Sequence, residues 1–194
     1  MKILIVGGGA REHAIAWKLA SERGVSEVLC APGNPGIAAV GRCLAVDGSP
    51  ESLLAVAADE SVDLTVVGPE LPLSLGVVDL FVAEGRPIVG PTKAAAALES
   101  SKAFAKAFME RHGIPTARFQ VCDSASDGLD VVAAGDLGYP LVLKADGLAA
   151  GKGVVIAEDR ESAERTVRMR SFSSLALMAL RRRRIWTSTV RGST

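Results

Sequence analysis

Two lysines, Lys144 and Lys152, flank a glycine-rich turn that runs Gly147-Leu148-Ala149-Ala150-Gly151-Lys152-Gly153 between two β-rich runs, 141–143 and 154–156. Glycine at 147, 151 and 153 leaves little side chain over the tip, so backbone N–H groups can close on an anion such as a polyphosphate. A plain hairpin tip with solvated lysines fits the same composition. The spacing is not that of a Walker loop, which needs a Gly-Lys-Ser/Thr opening a helix. A second candidate is Gly7-Gly8-Gly9 followed by Arg11, Glu12 and His13, where a strand passes through a glycine turn into a helix whose first amides can face a phosphate. Glu12 stands where a dinucleotide fingerprint needs its third glycine, and the next strand runs into Pro32-Gly33-Asn34-Pro35-Gly36 without a ribose-binding acid. A nicotinamide oxidoreductase is therefore disfavoured, and a small phosphorylated ligand is retained.

Glu70, after Gly68 and Pro69, stands at the carboxyl end of a strand at 64–67, where open α/β sheets bind ligands. A solvated loop carboxylate is the alternative. Lys102 falls in the first turn of a helix, where its charge opposes the helix dipole. Local helix stability does not explain it, although a solvated lysine would.

The elements that position these residues alternate. Strands at 2–6, 27–31, 44–46, 64–67 and 87–89, with helices from 10 to 23, 51–58 and 76–84, predict a parallel sheet in an α/β domain over residues 1–91. Thr92 caps a short helix at 93–98, and Ser100 or Ser101 caps another reaching His112 with Phe104, Phe108 and Met109 as its core face. Beyond Pro115 come a strand at 117–121, a helix at 127–134, the glycine hairpin and a helix at 160–167. Residues 92–167 thus read as a smaller α+β domain.

The composition, 48% hydrophobic with 4% aromatic residues, suits β-branched central strands. Charge is placed unevenly: residues 1–164 carry 14 Lys and Arg against 22 acids, whereas 165–194 carry eight arginines and no acid. Cys30, Cys43 and Cys122 are scattered, without a C-x-x-C pair or a histidine cluster, so neither a disulfide framework nor a zinc site is expected and a reducing cytoplasm is. No signal peptide and no 18-residue apolar run is evident.

Six motifs occur in order: Gly8-Gly9-Ala10-Arg11-Glu12-His13, Ala31-Pro32-Gly33-Asn34-Pro35-Gly36, Val67-Gly68-Pro69-Glu70, Leu98-Glu99-Ser100-Ser101-Lys102, His112-Gly113-Ile114-Pro115-Thr116, and Lys144 through Val154. Together they resemble the phosphoribosylamine–glycine ligase family (glycinamide ribonucleotide synthetases) of the ATP-grasp superfamily, over residues 1 to about 167. The resemblance implies a Rossmann-like preATP-grasp domain followed by the small lid subdomain of an ATP-grasp fold, truncated. It implies that Lys102, Lys144 and the loop of Gly147, Leu148, Ala149, Ala150, Gly151, Lys152 and Gly153 bind ATP. It places Gly8, Gly9, Arg11, Glu12, His13, Asn34, Pro35, Gly36, Pro69 and Glu70 on the phosphoribosylamine side. The implied reaction joins glycine to 5-phosphoribosylamine through a glycyl phosphate, with ATP and Mg2+ or Mn2+. The metal's ligands are expected in the family's later, large subdomain.

After Val167 the resemblance stops. The leading expectation for 168–194 is an out-of-frame reading at the end of a longer gene, hence an aberrant basic tail. The rival is a genuine arginine-rich tail with affinity for nucleic acid or anionic membrane. Without the large subdomain the chain is expected to be inactive alone. A non-catalytic phosphoribosyl- or nucleotide-binding module, or a remnant, is the alternative.

Overall fold

A computed structural model describes residues 1–147, 154–169 and 175–179. Contacts divide the chain into two units, 1–105 and 106–194.

Unit 1 is built on β1 (Lys2–Gly7), whose residues Ile3 to Val6 are all buried. A strand apolar on both faces belongs inside a sheet covered on both sides. It pairs in parallel with β2 (Glu27–Pro32) on one side and β4 (Leu64–Val67) on the other; β3 (Arg42–Cys43) and β5 (Ile88–Val89) complete the order β3-β2-β1-β4-β5. The alternation of side chains separates two cores. Leu4, Val6, Leu29 and Ala31 pack with Leu53 of α2 (Pro50–Asp59) and Phe81 of α4 (Val77–Ala83). Ile3, Ile5, Val28 and Cys30 pack with Ala16 of α1 (Ala10–Ala20) and with Ile37. The strand order reverses beside β1, so the carboxyl ends of β1, β2 and β4 open onto one crevice.

Two elements differ from the sequence reading. The third strand is Arg42–Cys43 and not 44–46: only the Leu44 N–H continues the pairing, donating to Cys30 O at 2.8 Å, while Leu44 and Val46 turn inward onto the core. The helix expected at 76–84 is two helices, α3 (Glu70–Leu75) and α4, divided at Gly76, whose φ of +95° ends the first. After β5, α5 (Lys93–Ser100), capped by Thr92, packs on α3.

The division falls within α6 (Lys102–Arg111). Its buried residue is Lys106, and Phe104, expected on the core face, is 41% exposed. Unit 2 continues with β6 (Phe119–Cys122), α7 (Ala125–Ala134, capped by Ser124), β7 (Leu141–Ala145), β8 (Val154–Ala157), α8 (Arg160–Met169) and β9 (Leu175–Ala179). These strands form an antiparallel sheet in the order β6-β9-β7-β8. β7 and β8 are the expected hairpin.

Residues 168–194 are expected from the sequence to be an aberrant basic tail. Within the described residues, α8 runs on to Met169, and Leu175–Ala179 is an inner strand between β6 and β7. The cause is apolar patterning: Leu175 and Leu177 are buried with Leu141, Leu143, Cys122, Val132 and Val167 under α7 and α8. The arginine run 181–184 lies outside the described residues.

Candidate functional site

In unit 1 the glycine turn after β1 is held by close backbone approach. The Gly33 N–H donates to Gly7 O at 3.1 Å, and a Cβ on Gly8 would stand 2.4 Å from Gly33 O. No larger residue fits there. Asn34 ties the second loop to the first: its Nδ2 donates to Gly8 O at 2.8 Å, and its Oδ1 accepts from the Ile37 N–H at 2.9 Å. His13 packs over Gly36, whose Cβ position would fall 2.5 Å from the imidazole Cε1. Pro35 beside it is exposed. Gly8, His13, Asn34 and Gly36 are thus brought together at the ends of β1 and β2.

Glu12 is placed differently from its expected neighbours. Only 5% exposed, it accepts from the Gly9 N–H at 2.6 Å through Oε2 and lies against Gly68 and Gly7. It holds the turn and presents little surface to a ligand.

Arg11 crosses from α1 to the end of β4. Its guanidinium donates to Gly68 O at 2.6 Å and to Glu70 Oε1 at 3.3 Å. Glu70 opens α3 after Pro69, and its carboxyl is held below the ordinary range by its own backbone N–H first and by the Arg11 guanidinium second. Arg11, Gly68, Glu70, Leu73, Pro91, Ala96 and Glu99 line a cavity of ≈ 390 Å³. Pro91, Ala96 and Glu99 were not among the sequence candidates. Their signal was the Leu98-Glu99-Ser100-Ser101-Lys102 motif, of which only the lysine had been singled out.

Unit 2 turns one sheet face to its helices; on the second face Val142 and Ala176 are buried and the edge strand β8 is exposed. The register puts Phe119, Met178, Val142 and Ile156 in one row of that second face, and Val121, Ala176, Lys144 and Val154 in the next. Ile156 and Val154 are 53% and 44% exposed. Lys106 reaches the Phe119 end, its ammonium donating to Thr116 Oγ1 at 2.5 Å and Ala117 O at 3.2 Å, 5.5 Å from the Phe119 ring centre. This face is thus apolar with two lysines beside it, a combination of apolar surface and positive charge that suits an anionic ligand with an apolar part. Gly147 follows β7 with a φ of +88°; Leu148, Ala149, Ala150, Gly151, Lys152 and Gly153 lie outside the described residues. Lys102 is in the first turn of α6, as expected. A separate groove of ≈ 580 Å³ near Met109, Ile114, Arg118 and Leu137 does not include Lys144.

Among the described residues no group of three His, Cys, Asp or Glu could hold a metal ion. No step is therefore assigned to a metal held by them.

Residues 1–99 match the family described as phosphoribosylglycinamide synthetase, N domain, and residues 100–172 match its ATP-grasp (A) domain. The chain belongs to the phosphoribosylglycinamide synthetase family. The phosphoribosylamine–glycine ligase of Xanthomonas campestris pv. campestris is 55% identical over 172 residues, covering 87% of this chain and 39% of that protein. That of Clostridium acetobutylicum is 47% identical over 169 residues, covering 87% of this chain and 40% of its own. The crystal structure of the Thermotoga maritima ligase superposes with a TM-score of 0.74 at 31% identity, over 93% of this chain and 44% of that one. The chain therefore spans about two fifths of the length of the curated relatives it matches. The family matches stop at residue 172, before β9.

Proposed function

We propose that the chain is the phosphoribosylamine-binding and nucleotide-lid portion of a ligase that joins glycine to 5-phosphoribosylamine. The relatives' names and the family's ATP-grasp domain support this reading. In the whole reaction the glycine carboxylate takes the γ-phosphoryl group of ATP, and the phosphoribosylamine nitrogen displaces phosphate from the resulting glycyl phosphate. Glycinamide ribonucleotide, ADP and phosphate leave.

In unit 1, the amides at the start of α1 and the Asn34 loop receive the ribose phosphate, and the Arg11–Glu70 pair orients the sugar end. In unit 2, Lys144 and the turn after Gly147 draw the polyphosphate, while Val142, Ile156 and Met178 exclude water beneath the base. The family resemblance assigns Lys102 and the loop residues Leu148 through Gly153 to ATP as well. Magnesium or manganese ligands come from the family's large subdomain, so the 194-residue chain binds without turning over. The reading sets it in the cytoplasm, with small-molecule substrates and with no nucleic-acid or membrane partner unless the arginine-rich tail is genuine. No described helix is long and apolar enough to cross a membrane.

The observation that carries this reading is the Arg11 bridge to Gly68 O and Glu70 at the mouth of one cavity. Calorimetric titration of the full chain with ribose 5-phosphate and with ADP tests it. Both should bind, and without ADP formation from ATP and glycine plus phosphoribosylamine. Absence of ribose 5-phosphate binding would remove the assignment of unit 1. Turnover would show that the chain is catalytic as it stands.

A further inference from the structure

Lys106 is the charged group that the fold of unit 2 explains least. It is 8% exposed, yet both its hydrogen-bond acceptors, Thr116 Oγ1 and Ala117 O, are neutral. Among the described residues neither Lys106 nor Lys144 forms an ion pair. Burial first, and the nearby Lys144 charge second, push the Lys106 ammonium below the ordinary lysine range. Two like charges therefore act on one another beside an apolar sheet surface, and among the described residues no acid forms an ion pair with either.

Such an arrangement works against the fold. A buried ammonium bonded only to neutral oxygens keeps part of its desolvation cost, and an apolar side chain of similar volume would serve the packing as well. The balance changes when an anion occupies the surface, because a charge in a poorly solvated place acts on a neighbouring anion more strongly than one in water does. The Phe119 ring is held between the Lys106 ammonium and the row formed by Met178, Val142 and Ile156. Fixing Lys106 thus also fixes one end of the apolar bed.

We infer that Lys106 is a positioning residue of the nucleotide site: anchored by Thr116 and Ala117, it joins Lys144 in a positive field that aligns the phosphate chain of a nucleoside polyphosphate along the second sheet face, beside the exposed Val154 and Ile156. This rests on the nucleotide reading of unit 2 and adds a residue to it. Lys106 acts through its field and through Phe119, with Thr116 and Ala117 keeping its own hydrogen bonds.

The test compares ADP with adenosine on the full 194-residue chain and its Lys106→Met, Lys106→Gln and Lys106→Arg variants. Lys106→Met and Lys106→Gln should weaken ADP about tenfold and leave adenosine unchanged, and the difference should shrink at high salt. Lys106→Arg should restore ADP binding. Without ligand, Lys106→Met should melt no lower than the parent, while its ADP-dependent rise in Tm is lost. Lys106→Gln keeps a donor for Thr116 and serves if the methionine variant fails to fold. Unchanged ADP affinity in these variants, or an equal loss of ADP and adenosine, overturns the inference and leaves Lys106 a residue of the fold. Failure of the parent chain to bind ADP at all overturns the nucleotide reading beneath it.

Discussion

Glu12 and Gly68 occupy one another's space. The carboxylate of Glu12, on the first turn of α1, fills the volume a side chain at residue 68 would need: a Cβ there would fall 2.0 Å from Oε1 and 2.5 Å from Cδ. Through the other oxygen the same carboxylate holds the Gly9 N–H. One buried acid therefore sets the glycine turn after β1 and its distance from the end of β4.

Gly68→Ala should accordingly destabilise unit 1 by about 1–3 kcal/mol, the usual cost of forcing extra volume into a packed site. It should also weaken ribose 5-phosphate by displacing the turn. Urea unfolding and calorimetry on the same variant check this. Pairing it with Glu12→Ala should recover part of the stability without recovering the ligand.

The Arg11–Glu70 pair should behave in the opposite way. Both side chains are largely in water, at 62% and 44% exposure, so breaking the pair should cost the fold about 0–1 kcal/mol. Arg11→Met should instead reduce ribose 5-phosphate affinity by roughly tenfold or more, since a charge-assisted contact to the ligand is lost. A variant that binds normally would show that Arg11 only braces Gly68.

Acid should report on Glu70. Its carboxyl is lowered from 4.5 in the fold, so its contribution is fully present above that value and is lost as the pH falls through the lower folded value. Glu70→Gln should flatten that acid limb of the stability curve. The limb would persist if other carboxylates, such as Glu27 and Glu60 bound to Arg42, dominate it.

The thiols should label in sequence. Burial pushes Cys30 up to about 12 and Cys122 up to about 11, so neither supplies thiolate at neutral pH. The half-buried Cys43 should react first with a thiol reagent, and the other two only with unfolding. Mass spectrometry of partly labelled protein reads the order directly.

Leu177 should govern unit 2 by itself. It is fully buried on an inner strand, and Leu177→Ala should cost about 2–5 kcal/mol. Amide exchange should then accelerate in Leu141–Ala145 while Lys2–Gly7 stays protected. Uniform acceleration in both would mean that the two units unfold together.

Much of this was legible in residue types. The glycines after β1, the apolar run of β4 and the hairpin around Lys144 each carry a local rule that tertiary contacts did not override. The helix at Glu70 was missed because Pro69 and Pro72 suggest a loop. Yet Pro69 is the N-cap and Pro72 falls in the first turn, where no amide bond is required of it. Lys106 was missed because a lysine on a helix reads as solvated. Only its bonds to Thr116 and Ala117, in the segment that leads into β6, show otherwise. β9 was set aside on composition, since arginines surround it, and its burial between β6 and β7 is visible only once those strands are paired.

The place of β9 also fixes an order of assembly. It is the last strand described, yet it separates β6 from β7, which were made earlier. As the chain leaves the ribosome, unit 1 holds all five of its strands before Leu175 is joined, so its sheet can close during synthesis. Unit 2 must wait with a gap between β6 and β7. A nascent chain paused before residue 175 should therefore resist protease over unit 1 and be cut throughout unit 2.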